Sequence, residues 1–171
     1  MSSTSLSGTP KPGVVEVRLE TRIRRPAAEV FAFLTHVDNF AKWQEGIAGI
    51  EQLDPGPWHA GTRIRTVHKF LIWNSLVDYS EIVSLEHNVR FRNQGKAGSN
   101  AYREEFLLEN EGDGIRLKYS ADITPGGIFI FIKSISAWAF RSQMQRSFAR
   151  LKILLEQSEQ QVATVADASA I

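Results

Sequence analysis

The sequence has no cysteine, and that absence removes disulfide staples, thiolate nucleophiles and thiolate metal sites together. It fits a reducing compartment. No apolar run is long and charge-free enough to span a bilayer. The start, Met1 to Gly13, carries neither a basic leader nor an apolar stretch, so no secretory signal is expected and a cytoplasmic location is. Charge of either sign is not in excess: 20 Lys and Arg against 19 Asp and Glu leave +1, too weak a field to draw the chain onto nucleic acid. No G-x-S-x-G elbow, P-loop or Rossmann glycine fingerprint is present, and Gly95-Lys96 lacks the earlier glycine and the following hydroxyl that phosphate cradling needs. His36, His59, His68 and His87 show no ligand spacing for zinc, and a non-haem iron site is unsupported. Neither metal nor cofactor is expected. Cofactor-free chemistry or plain binding remains.

What is present is enough for one domain: 171 residues, 43% of them hydrophobic, build a single core. Its expected span is 14–157, with a Ser, Thr, Gly and Pro-rich disordered tail at 1–13 and a fraying end at 158–171. Val15, Val17, Leu19, Thr21 and Ile23 alternate with Glu16, Arg18, Glu20, Arg22 and Arg24, the period-two signature of a strand with one buried face. Arg25-Pro26 ends it. Pro26 has the fixed φ suited to the start of a helix, and Ala27, Val30, Phe31 and Leu34 then fall on one helical face, with a short second helix after them.

From Trp43 onward the pattern is an antiparallel meander. Strands are predicted over Ile47 to Leu53, Thr62 to Trp73, Leu76 to Val83, Val89 to Asn93, Tyr102 to Glu109 and Ile115 to Ile123. Asp54-Pro55-Gly56-Pro57, Asn74-Ser75, the loop 95–99 and Gly112-Asp113-Gly114 are the breaks between them. A final helix is predicted from about Lys133 to Gln157, with Ala137, Phe140, Met144, Phe148, Leu151 and Leu155 as its apolar stripe. At ~1.5 Å per residue it is roughly 35 Å long, enough to cross a curved sheet.

The run 23–35, Ile-Arg-Arg-Pro-Ala-Ala-Glu-Val-Phe-Ala-Phe-Leu-Thr, followed by Asp38-Asn39-Phe40 and Trp43, resembles the opening of the START-like (SRPBCC) superfamily of polyketide cyclases, dehydrases and lipid carriers. The resemblance covers roughly Val14 to Glu156. It implies an α+β helix-grip fold of the Bet v 1-like kind: a curved seven-stranded antiparallel sheet around a long C-terminal helix, with two short helices after strand 1 and a cavity for an apolar molecule. Where relatives often have proline just after the tryptophan, this chain has Gln44-Glu45-Gly46. Fold alone does not choose among the family's activities.

Alternation sorts the strands into faces. Ile64, Thr66, His68, Phe70 and Ile72 form one inner set, with Val89 and Phe91, then Tyr102, Glu104, Phe106 and Leu108, then Ile115, Leu117, Tyr119, Ala121 and Ile123. The fourth strand is ambiguous: Leu76, Asp78, Ser80 and Ile82 compete with Val77, Tyr79, Glu81 and Val83. Thr66, His68, Tyr102, Glu104 and Tyr119 are then polar groups on an apolar wall, with Asp78 a weaker candidate, and each needs a partner when buried. In one reading His68 and Glu104 act as base and acid on a bound polyketide. In the plainer one they hold hydrogen bonds or trapped water and orient a guest.

Candidate ligand contacts are Thr66, Phe70, Phe91, Tyr102, Phe106, Tyr119 and Trp138, with Arg141 and Gln145 on the last helix. Ile128 to Ile132, Ile135 and Trp138 lack a polar face. They read as a lid, a portal touching membranes transiently or a homodimer surface on one side, and as ordinary core packing on the other. Outward Arg63, Arg65, Arg90, Arg92, Arg116 and Lys118 share a face with Glu16, Glu20, Glu105 and Glu109, so cross-strand ion pairs account for them. The leading expectation is a binder of a small hydrophobic or aromatic molecule. A cofactor-free cyclase or dehydratase and an interaction module of Hsp90-activator type are the alternatives.

Overall fold

The computed structural model describes residues 13–70, 74–131 and 133–168, the side chains as far as Gln157. Strand β1 (Val15–Ile23) leads through Arg24 to Pro26 into helix α1 (Ala27–Leu34). The Pro26 carbonyl accepts the amide hydrogens of Glu29 and Val30, so the residue that stops the strand also starts the helix. A single 3-10 turn (Val37–Asn39) and helix α2 (Phe40–Trp43) complete the two-helix cap. Strands β2 (Ile47–Gln52), β3 (Arg63–Phe70), β4 (Asn74–Glu86), β5 (Arg90–Ala97), β6 (Asn100–Glu111) and β7 (Gly114–Thr124) follow, then a turn of 3-10 helix (Gly127–Ile130) and helix α3 (Lys133–Ala168).

All seven strands form one antiparallel sheet in the order β1-β7-β6-β5-β4-β3-β2, a meander closed by β1 returning beside β7. Val17 faces Ala121 across β1 and β7, and Phe106 faces Tyr119 across β6 and β7. The inner face of this half buries Val17, Ile115, Leu117, Tyr119 and Ala121 completely. Met144, Phe148, Leu151 and Leu155 of α3 close over it, and Trp43 of α2 packs edge-on against both Phe106 and Phe148. The outer face carries the expected cross-strand pairs, among them Arg92 with Glu105, Lys118 with Glu109 and Arg116 with Glu20. Among the described residues no helix is long and apolar enough to cross a membrane.

Several boundaries differ from the sequence reading. The third strand is described only to Phe70; Leu71, Ile72 and Trp73, expected to continue it, lie outside the described residues. Asn74 and Ser75 open β4 rather than forming a turn before it. β5 continues through Gly95 to Ala97, which shrinks the expected loop to a hairpin at Gly98-Ser99, with Gly98 at φ +60. Val89 sits in the turn before β5 and is exposed, not inward, because Asn88 takes a positive φ and resets the chain. The last helix runs past Gln157 to Ala168.

Candidate functional site

Between the first turns of α3 and the far half of β3 to β6, sheet and helix stand apart and leave a hollow of about 440 Å³. Apolar side chains make most of its wall. Ile50 comes from the edge strand β2 and Ile64 from β3 beside it, Phe91 and Phe106 from the centre, Phe40 from α2, Trp58 from the loop after β2, and Ala137, Phe140 and Met144 from α3. Phe91 and Phe106 stack at 4.7 Å and Trp58 meets Phe91 edge-on at 5.7 Å, so the floor is a continuous aromatic surface.

One patch of that wall is polar. β4 turns Asp78 and Ser80 inward, which settles the ambiguous strand: Asp78 is buried, while Tyr79 is 57% exposed. A bulge after Ile82 changes the phase again and brings Leu85 opposite Phe91. Tyr102 on β6 donates its hydroxyl to Asp78 Oδ2 on β4 at 2.6 Å, reaching across β5. Gly95 makes this reach possible. It lies opposite Tyr102, and a Cβ there would come within 2.5 Å of the Tyr102 hydroxyl and 2.8 Å of the Tyr79 carbonyl. His68 places Nε2 3.7 Å from the same Asp78 oxygen.

Beside this group stands Glu104, held by two donors: the Tyr119 hydroxyl at 2.5 Å on Oε1 and Asn93 Nδ2 at 3.2 Å on Oε2. Burial pushes the Glu104 carboxyl above its usual range, against the two hydrogen bonds that favour its charged form. Tyr102 and Tyr119 are both raised well above 10, first by burial and then by the neighbouring carboxylates, so both stay hydrogen-bond donors at neutral pH. Asp78 Oδ1 and Asn93 Oδ1 are buried with no hydrogen-bond partner. Chemically the patch can orient a polar group of a guest, and it holds a carboxyl of raised pKa and an imidazole in one apolar enclosure.

Of the residues singled out in the sequence, Thr66, His68, Phe91, Tyr102, Glu104 and Phe106 line the hollow together. Tyr119 lies behind the wall, in contact with the site through Glu104. The Phe70 side chain lies outside the described residues. Trp138, Arg141 and Gln145 are corrections. All three are exposed and none lines the hollow; Trp138 is 71% exposed, and Arg141 donates to the Arg18 carbonyl at the edge of β1. At ~100° per residue they stand roughly 40° to 100° around the helix from Ala137, beside the stripe that faces the sheet. Ile130, Phe131 and Ile135 are exposed with Trp138, so core packing does not account for these four. Missed by sequence reasoning were Asn93, Gly95 and the aromatic Trp58, while Ser80 stood on the strand left ambiguous; alternation from Phe91 to Asn93 was the available signal for the first.

A family model described as polyketide cyclase/dehydrase and lipid transport matches residues 14–156. Among solved structures, a protein from Thermus thermophilus is similar with a TM-score of 0.71 at 16% identity, over 84% of this chain and 98% of that one. Ara h 8.0201 gives 0.65 at 14% identity, over 85% and 99%. The di-domain ARO/CYC StfQ of the steffimycin biosynthetic pathway gives 0.69 at 10% identity, over 85% of this chain and 52% of that one. At such identities the likeness shows the fold alone. No protein with a curated description matches the sequence.

Proposed function

The chain belongs to the polyketide cyclase/dehydrase and lipid transport family, and from that premise we propose that it binds a small hydrophobic or aromatic molecule in the hollow between sheet and α3. The observation that carries this reading is the enclosure itself: about 440 Å³ lies within the range of small-molecule sites, under an aromatic floor with one polar patch. A guest entering it exchanges water for apolar side chains, worth about 25 cal/mol per Å² of apolar surface removed from water. His68, Asp78, Tyr102 and Glu104 fix which end of the guest goes where. Native mass spectrometry of the full chain after incubation with lipids and with aromatic polyketides tests it. A one-to-one complex that survives desalting supports the reading, and a chain that stays empty with both libraries contradicts it.

A second reading is favoured by one feature, the coexistence of His68 beside Asp78 with the raised carboxyl of Glu104. His68 would take a proton from a carbon next to a carbonyl, and protonated Glu104 would give one to the oxygen of the carbonyl attacked in an aldol cyclisation, or to the hydroxyl that leaves as water in a dehydration. Turnover lost in both His68→Ala and Glu104→Gln, with binding kept, supports it. The interaction-module reading needs no hollow and gains nothing from this one.

A further inference from the structure

The polar patch differs in what it offers and what it lacks, and this bears on the guest whose binding was proposed above. The three donors that touch the carboxyl pair are committed inside the protein. Tyr102 donates to Asp78, while Tyr119 and Asn93 donate to Glu104. Acceptors are left over. Asp78 Oδ1 and Asn93 Oδ1 have no partner. Two carboxyl groups thus share one apolar wall, and among the described lining residues the one lysine or arginine is Lys69, exposed at the rim.

A carboxylate brought to this wall would add an acceptor-only anion beside Asp78 and Glu104, where the Tyr102, Tyr119 and Asn93 donors are already taken. A hydroxyl or an ammonium group would instead supply the hydrogen that the orphaned oxygens lack. We infer that the hollow takes a guest whose polar end is a hydrogen-bond donor, a hydroxyl or a protonated amine, and rejects the same skeleton ended by a carboxylate. The inference rests on the hollow being a guest site and narrows what that site accepts.

Three probes on one ring system test it on the full chain at neutral pH: 2-naphthol, 2-naphthylmethylamine and 2-naphthoate, titrated by calorimetry, with the uncharged dye Nile red as a check of the hollow. Naphthol and the amine are expected to bind, with naphthoate at least about tenfold weaker. Asp78→Asn should lower the amine's affinity about tenfold and leave naphthol within about threefold, which separates the two kinds of donor. Glu104→Gln gives the same ordering in a smaller measure and stands in if Asp78→Asn does not fold. Naphthoate binding as tightly as the other two overturns the inference; if that binding disappears in Lys69→Ala, the carboxylate sits at the rim. Nile red binding without any of the three probes also overturns it while sparing the hollow. Failure of the dye and all three probes removes the guest site and the inference together.

Discussion

The two halves of the space under α3 are made from the same strands and the same helix, yet one is solid and the other hollow. Toward the later turns, Phe148, Leu151 and Leu155 meet Trp43, Phe106 and the buried β7 residues, leaving no room. Toward the first turns, small Ala137 and Ala139 stand where the sheet curves away, and the space between stays open. One end supplies the stability that the other does without. A grip of this kind holds a cavity open because the packed half fixes the helix at a distance the open half could not enforce.

The sharpest way to break that division is to damage the packed end. Leu151→Ala, at a fully buried position, should cost ~2–5 kcal/mol in urea unfolding, since the cavity it leaves cannot collapse between sheet and helix. A loss below ~1 kcal/mol would mean that the packed end is not what holds the helix. Next comes the polar patch. Tyr102→Phe leaves Asp78 buried without its donor and should cost ~1–3 kcal/mol by the same measurement.

Smaller, and dependent on pH, is the effect of Glu104. Its folded pKa is raised above the usual 4.5, chiefly by burial, so its contribution to stability is full below 4.5 and is lost as pH rises through the folded value. Glu104→Gln should therefore gain on the parent as urea midpoints are followed from about pH 4 to about pH 8. A constant gap would place Glu104 in water. The least effect is expected far from the hollow, at the pair Asp54–Arg63. Hydrogen bonds from the Arg63 side chain and backbone lower Asp54 from 3.8 to about 2, so its contribution is present above 3.8 and is lost as pH falls toward 2. Arg63→Ala should make the chain slightly more acid-labile in that window, less so in high salt, read from acid-unfolding midpoints.

Sequence alone carried the outline of this molecule and part of its site. Strict alternation in β1, the proline at the start of α1 and the stripe from Ala137 to Leu155 each state a period that packing has no reason to override. Glu104 was legible as an inward polar residue because both pairings of β6 keep an unbroken register, and His68 because the bulge beside it, between Ile47 and Gly49, lies in β2 and leaves the alternation of β3 intact. Asp78 was not, because both faces of β4 mix apolar and polar residues and a bulge after Ile82 shifts the phase. Gly95 reads in a sequence as a loop residue, and only the ring of Tyr102 lying across it explains its place in a strand. Arg141 and Gln145 were read as ligand contacts from a position beside the stripe, and ~40° and ~80° around the helix from Ala137 is enough to keep both out of the hollow.

The central claim is that the open half is a binding site rather than a packing fault, and filling it tests this most directly. Nile red should bind the parent chain and brighten on binding, while Ala137→Trp, which projects an indole into the hollow, should weaken that binding at least about tenfold and leave the unfolding free energy in urea within ~1 kcal/mol of the parent. Unchanged dye binding in Ala137→Trp, with the fold intact, would contradict the account.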